Sequence, residues 1–407
     1  MNQPNSHVYD LTVVGAGIVG LATAWKFQKA WPDARILVLE KEQRVAAHQT
    51  GNNSGVIHSG IYYKPGSFKA KNCVDGRHQL VAFCEEHGVA YDICGKIIVE
   101  TEHDREDRLP LIFERGVANG IEGIRMVDAV EMREIEPQVA GTRAIHVPCA
   151  GIVDFTGVCE ALRSLLEKGG NRVEFGRNVE RITKDKNELV VAASSGGLIR
   201  TRHLINCAGL YSDRVAQAAG IDTPVQIVPF RGEYFELTEQ TEWMVRGLIY
   251  PLPNPEFPFL GVHFTRMVLG GVECGPNAVF AFKREGYDKL SVDWQETLET
   301  LTFPGFWKMS GRHWKMGLDE MYRSASKKAF VQNLKKLIPA VEPEHLRAAP
   351  SGVRAMALLP TGDILDDFHY ERAERQIHVL NAPSPAATAC LSIADEIVSQ
   401  AADHFDL

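Results

Sequence analysis

Six residues near the start, Gly15-Ala16-Gly17-Ile18-Val19-Gly20, constrain this chain more than any other feature. A G-x-G-x-x-G alone is a weak signal; its surroundings make it specific. The apolar run Val8 to Val14 before it reads as a buried strand, and Ile18 to Ala30 has helical periodicity. Pro32-Asp33 breaks the helix, and Arg35 to Glu40 forms a second strand that ends on an acid. The unit is βαβ, which calls for a parallel sheet with a right-handed crossover. Gly15 permits the tight turn, Gly17 lets backbone N–H groups approach a pyrophosphate, and Gly20 allows helix and strand to pack closely. The helix N-terminus adds free donors and partial positive charge, and Glu40 is placed to accept from ribose hydroxyls. The pattern predicts an adenine dinucleotide and leaves NAD or FAD open.

At 407 residues the chain exceeds the ~250–300 that one core holds, so two domains are expected. With 45% hydrophobic and 24% charged residues it has the material for a large core. The net charge of −8 and the lack of a long basic tract argue against nucleic acid, and an anionic substrate would need a local positive pocket. Eight cysteines without a C-x-x-C pair argue against a zinc ribbon and predict reduced, mostly buried thiols and no metal. Leu11 to Phe27 is the most apolar stretch, but its glycines mark strand plus helix, and Met1 to Tyr9 has no signal or transit pattern. A cytoplasmic protein is expected, with peripheral contact to the inner face of the cell membrane as a further option.

Helices are predicted at Ser67–Glu86, Asp104–Asn119 and Thr156–Lys168. Strands are predicted at Tyr91–Glu100, near Thr142–Val147, and in a cluster from Arg172 to Cys207. Val225 to Gly275 alternates strand and turn, as an antiparallel sheet covering a ligand would, and Asp293 to Leu337 is largely helical. The end returns to a strand at Ile377–Leu380 and a helix from Ala386 to Ser399.

Several blocks carry a family resemblance. The first motif with Glu40, then Ile205-Asn206-Cys207-Ala208-Gly209, then Gly352-Val353-Arg354 resemble the D-amino-acid-oxidase-like FAD oxidoreductases. Longer blocks resemble the L-2-hydroxyglutarate dehydrogenase/oxidase family: His48 to Tyr63, Pro229 to Tyr234, Phe257 to His263, Gly275 to Tyr287, and Asn381 to Thr388. Residues 290 to 337 carry little of it. The resemblance implies FAD, and an α/β fold in which a Rossmann-like FAD-binding domain of the glutathione-reductase type interleaves with an antiparallel-sheet substrate domain. The FAD part is expected at 1–90, 145–220 and 345–407, and the substrate part at 91–144 and 221–344, with its helical segment at 293–337. The implied reaction is oxidation of L-2-hydroxyglutarate to 2-oxoglutarate by hydride transfer to flavin N5, with electrons passed to quinone or oxygen. An amino-acid or amine oxidase, or a flavin-binding sensor, are the competing readings; an NAD dehydrogenase fits the first motif alone.

Oxidising a 2-hydroxy acid needs a base for the hydroxyl proton and a cation for the carboxylate; a dicarboxylate needs a second polar anchor. His58 and His263 are the candidate bases, since imidazole titrates near working pH; a satisfied structural histidine is the plain alternative. His48 is a weaker candidate. Arg354 is the candidate carboxylate clamp, because its planar fork matches a carboxylate. Tyr62, Arg231, Tyr250, Asn277 and Lys283, with Arg284 beside it, complete the substrate candidates. Candidate cofactor contacts are Gly15, Gly17, Gly20, Glu40, Lys41, Thr50, Asn53, Ser54, Gly55, Val179, Ala208 and Gly209. Pro383, Ser384 and Ala386 join them where a helix N-terminus would face the flavin. Phe303 to Lys308 with Arg312, His313, Trp314 and Lys315 mixes aromatics and cations, which suits either a membrane surface or packing on the substrate domain.

Overall fold

The computed structural model of the chain describes residues 8–102, 104, 107–253 and 261–407. The expectation for residues 1–7, and residues 257–260 of one quoted block, lie outside the described residues.

The expected βαβ unit forms from β1 (Val8–Val14), α1 (Ile18–Ala30) and β2 (Ile36–Leu39). β1 is central, with β2 parallel on one side and the strand Ile199–Asn206 parallel on the other. Arg172–Glu174 continues the sheet beyond β2, and Gln376–Asn381 continues it beyond Asn206, again in parallel. Strands from both ends of the chain thus share one sheet. All four residues of β2 are buried, as befits a parallel strand covered on both faces. α1, the helix Phe155–Lys168 and the C-terminal helix Cys390–Phe405 bury one face of this sheet in a common apolar core. That last helix starts four residues after Ala386, because Ser384 to Ala389 form turns.

A second eight-stranded sheet runs from Leu346–Ala348 at one edge to Arg125–Asp128 at the other. It is antiparallel apart from Leu248–Pro251, which lies parallel to Lys96–Glu100. Alternation divides its side chains between two faces. Ile97, Val99, Ile249 and Phe264 pack with Phe330, Leu334 and Ile338 in an apolar core. The opposite face carries Lys96, Ile98, Tyr250 and, across from Tyr250, His263. The run predicted as one strand, Tyr91–Glu100, is two short strands, since Gly95 sits at φ 78° between Tyr91–Asp92 and Lys96–Glu100. The strand Arg143–Val147 belongs whole to this sheet, although the expected domain boundary fell at 144/145; Leu346–Ala348 lies in it too. A three-stranded sheet pairs Gln226–Gly232 with Gly352–Leu358, joining segments expected in different domains.

Close packing of α1 on β1 rests on Gly20, where an added Cβ would lie 2.0 Å from the Gly15 carbonyl oxygen. Backbone cannot yield there as a flexible side chain would. Gly20→Ala is expected to destabilise the fold by about 3 kcal/mol or more, read from urea unfolding.

Candidate active site

The turn between β1 and α1 is held from beneath by Glu40. Its Oε2 accepts from Ala16 N at 2.7 Å and its Oε1 from Glu42 N at 2.9 Å. Each carboxylate oxygen has two lone pairs, so capacity remains for ribose hydroxyls. Gly15 has φ 106° and meets the Cys207 carbonyl at 2.6 Å from a hypothetical Cβ. Gly17 is different: its missing side chain would touch only the Thr50 hydroxyl, at 3.4 Å. Internal packing explains the glycines at 15 and 20 but not the one at 17. A phosphate approaching the helix N-terminus does. That is the fit expected of a dinucleotide cradle.

Other predicted contacts surround this turn. Thr50 Oγ1 accepts from Ile18 N at 3.1 Å, capping α1 from a distant loop. Asn53 donates to the Gln49 and Thr50 carbonyls and accepts from Gly55 N, so it shapes the loop that carries Ser54 and Gly55. Ala208 N donates to Asn206 Oδ1 and Gly209 takes φ 53°, bending the chain away after its strand. Val179 begins a strand two residues after Arg177, whose N–H donates to the Glu40 carbonyl at 2.7 Å. Lys41 pairs with Glu42 and Glu285 and lies over the Tyr211 ring. His48 bonds Tyr287 and Glu42. Glu42, His48 and Glu285 gather their ligand atoms closely, but the Lys41 ammonium already bridges the two carboxylates.

The second cluster lies where the loop after Gly55, the large sheet and the strand Gly352–Leu358 meet. Thr388 clamps the loop: its hydroxyl accepts from His58 N at 3.1 Å and donates to the Val56 carbonyl at 3.1 Å. Gln49 Oε1 accepts from Ala355 N at 3.0 Å, tying the same loop to the strand of Arg354. Tyr250 stacks on His263 with ring centroids 3.9 Å apart. The Lys96 ammonium lies 4.8 Å from the ring centres of both Tyr62 and Tyr250. Arg354 hydrogen-bonds Tyr234, and Ser384 bonds Tyr63. His58 and His263 are pushed down to about 3, first by burial; Lys96 and Arg354 add to the shift in both. Both imidazoles are therefore neutral at working pH. His263 Nδ1 lies 2.9 Å from the Gly261 carbonyl; a carbonyl only accepts, so Nδ1 carries the proton and Nε2 keeps a bare lone pair. The Tyr62 hydroxyl is buried with no partner among the described residues.

Some predicted residues are engaged elsewhere. Arg231 pairs with Val353, not Arg354, across the ladder, so alternation sends it to the opposite face. There it binds Glu233 and the Asp288 carbonyl. Asn277 is spent on Glu233, bonding both its N–H and its carboxylate. Arg284 is buried against Asp213 and the Leu210 carbonyl, and Lys283 is half-exposed at the surface. Pro383 and Ala386 stand in the turn before the last helix, the Ala386 N–H donating to the Pro383 carbonyl. No helix N-terminus therefore forms at Ala386.

Lys96, Tyr63, Tyr234 and Thr388 were not anticipated. Lys96 had a readable signal: a lysine opening the apolar run Ile97-Ile98-Val99 of a buried strand. The others depend on long-range contacts that spacing does not reveal.

The chain matches the family described as FAD dependent oxidoreductase (DAO) over residues 10–400. It is 49% identical to the L-2-hydroxyglutarate dehydrogenase of Indibacter alkaliphilus over 398 residues, covering 98% of this chain and 100% of that one. It is 43% identical to the enzyme of that name from Escherichia coli, covering 97% and 93%. The mitochondrial one of Nematostella vectensis is 42% identical, covering 100% and 92%. Among solved structures, an FAD-bound L-alpha-glycerophosphate oxidase from Mycoplasma pneumoniae superposes with a TM-score of 0.80 at 20% identity, covering 98% and 95%. A glycine oxidase from Geobacillus kaustophilus follows at 0.72 and 16%, with the same coverage.

Two outcomes follow from this geometry. Gly17→Ala should leave the urea midpoint of the apoprotein nearly unchanged while weakening FAD retention on a desalting column at least ~10-fold, since only ligand approach needs the gap. His58 and His263 bind protons more readily unfolded, near 6.5, than folded, near 3. Stability contributed by each is full above about pH 6.5 and declines by about 1.4 kcal/mol per pH unit below it. His263→Gln should flatten the acid side of a stability–pH curve; an unchanged slope would show that this ring is not held neutral.

Proposed function

The chain belongs to the FAD-dependent oxidoreductase family, and on that premise we propose that it oxidises L-2-hydroxyglutarate to 2-oxoglutarate. The observation that carries the reading is the meeting of two neutral imidazoles with two cations, in which His263 and Lys96 are buried and His58 and Arg354 half-buried. An amino-acid oxidase needs one carboxylate site and a group that manages an amine; here the positive charge is doubled.

The glycine turn, the N-terminus of α1 and Glu40 would hold the adenosine diphosphate half of FAD, and the loop Thr50–Gly55 with the turn at Pro383–Ala386 would hold the remainder. When bound, FAD supplies the two-electron acceptor for the hydrogen on C2. Arg354 binds the carboxylate beside C2 through its planar fork and so turns the C2–H toward that acceptor. As the hydrogen leaves with its electron pair, the hydroxyl proton passes to an imidazole and a C2=O bond forms. The bare Nε2 of His263 favours that ring as the base. His58 lies in the same electrostatic neighbourhood and orients the hydroxyl.

Electrons leave, in this reading, to a membrane quinone. The helical segment Pro304–Ala325, kinked at His313, exposes Trp307, Trp314, Leu318, Met321 and Tyr322 and carries Lys308, Arg312 and Lys315. Nearby Leu290 and Trp294 are 90% and 81% exposed. Aromatics flanked by cations suit the headgroup layer of an anionic bilayer. No helix among the described residues is long and apolar enough to cross a membrane.

Anaerobic mixing tests the chemistry: L-2-hydroxyglutarate should bleach the flavin absorbance and the D form should not. His263→Ala should slow the bleaching by ~10²–10⁴-fold with little loss of binding; a full effect in His58→Ala with none in His263→Ala would move the base to His58. Flotation with vesicles containing phosphatidylglycerol should carry the wild type upward and a Trp307→Ser/Trp314→Ser variant less so. No flotation of the wild type would remove the membrane contact.

A further inference from the structure

Lys96 and Glu100 sit on one face of the same strand, and both are nearly sealed from solvent, at 2% and 4% exposure. Glu100 has a clear reason to be there: Arg143 binds both of its oxygens. Lys96 has no such partner. The two stand four positions apart along the strand, about 13 Å, so Glu100 cannot serve it. Among the described residues the Lys96 ammonium meets no carboxylate; the groups acting on it electrostatically are the thiols of Cys73 and Cys149. Its nearest neighbours are two aromatic faces, Tyr62 and Tyr250. Cation–π contact recovers part of the lost hydration, but a buried ammonium ordinarily requires an anion as well. Tyr62 adds a second signal, since its buried hydroxyl lacks a partner among the described residues. A donor and a cation, side by side and both unsatisfied, describe half of a carboxylate site.

Taking the 2-hydroxy acid reading above as its basis, we propose that Lys96, assisted by Tyr62, binds the distal carboxylate of the substrate and so makes the enzyme selective for dicarboxylates. Arg354 takes the carboxylate next to the reacting carbon, and Lys96 takes the other. Charge count agrees: two cations and two neutral imidazoles match a dianion, whereas a monocarboxylate would leave the ammonium buried alone. Lys96 and His263 both lie against the Tyr250 ring, which brings the distal site and the base to one aromatic side chain.

The groups facing Lys96 allow a test in the unaltered holoenzyme. Burial holds Lys96 down at about 8. Cys73 is pushed up to about 12, and Cys149, Tyr62 and Tyr250 are all raised, so none of them ionises first. His58 and His263 titrate far lower, at about 3. Calorimetric binding of two non-reacting probes, glutarate and pentanoate, isolates the distal contact. Glutarate should bind progressively more weakly above about pH 8 while pentanoate stays level; parallel curves would overturn the assignment. Lys96→Met should weaken glutarate by about 30-fold, the worth of a charge-assisted bond, and change pentanoate less than about threefold, with Lys96→Arg restoring part of the loss. In turnover the same variant should raise KM for L-2-hydroxyglutarate more than it lowers kcat, and leave L-2-hydroxypentanoate unharmed. Equal weakening of both probes, or of neither, would overturn it. If Lys96→Met fails to fold, the wild-type pH curves decide alone. Failure of L-2-hydroxyglutarate to bleach the wild-type flavin is a separate result, which removes the substrate reading and this assignment with it.

Discussion

Everything in this molecule is referred to one short backbone contact, the approach of α1 to the end of β1 at Gly15 and Gly20. The helix can begin this close to the strand only if Gly20 brings no Cβ, and the turn can lie against the Cys207 carbonyl only if Gly15 brings none; a chain that satisfies both gains a fixed helix N-terminus. Glu40 then locks the turn from the neighbouring strand through Ala16 N. Thr50 caps the same helix from the loop that leads to His58. The glycine turn and the loop of His58 are therefore registered to each other through the Thr50–Ile18 hydrogen bond, and loop residues far apart in sequence inherit the rigidity of a parallel sheet.

The large sheet does the complementary job. Its outer face is committed to an apolar core with the helix Lys327–Leu334, which leaves no freedom for strand register to slip. With register fixed, the inner face must present Lys96, Tyr250 and His263 together. The same rule explains why Arg231 and Arg354, so similar as candidates, diverge. They lie on paired strands but at positions of opposite parity, and only Arg354 points toward the cluster with His58. A one-residue slip between the strands would put both arginines on the same face.

Much of the nucleotide half was legible from sequence, because its requirements are local: a strand, three glycines, a helix and an acid at set spacing. His58, His263 and Arg354 were legible from residue type in glycine-flanked contexts, and the structure brings them within one electrostatic neighbourhood. What spacing could not reveal were partnerships across the chain. Asn277 looked like a donor in a loop but is consumed by Glu233. Thr388 fell within the helix expected from Ala386 to Ser399, but it joins His58 N to the Val56 carbonyl across more than 300 positions. The final helix was placed too early because Pro383 and Pro385 resemble a helix start, whereas here the segment spends its N–H groups on turns before Cys390.

Electrostatics binds the halves into one reaction. A chain of net charge −8 repels a dianion at long range, so attraction must come from cations held where water does not screen them. Holding Lys96 buried and Arg354 half-buried beside two imidazoles has a second effect: their positive field, on top of burial, lowers the proton affinity of both rings. An imidazole held that low is a poor base on its own. On the proposed reading, a substrate carrying two carboxylates would cancel the two positive charges and remove the part of the shift they caused. The ring then regains proton affinity at the moment a hydroxyl proton must be taken. A monoanion would neutralise only one of the two cations and recover less. Selectivity for charge and readiness of the base are, on this geometry, the same interaction seen from two sides.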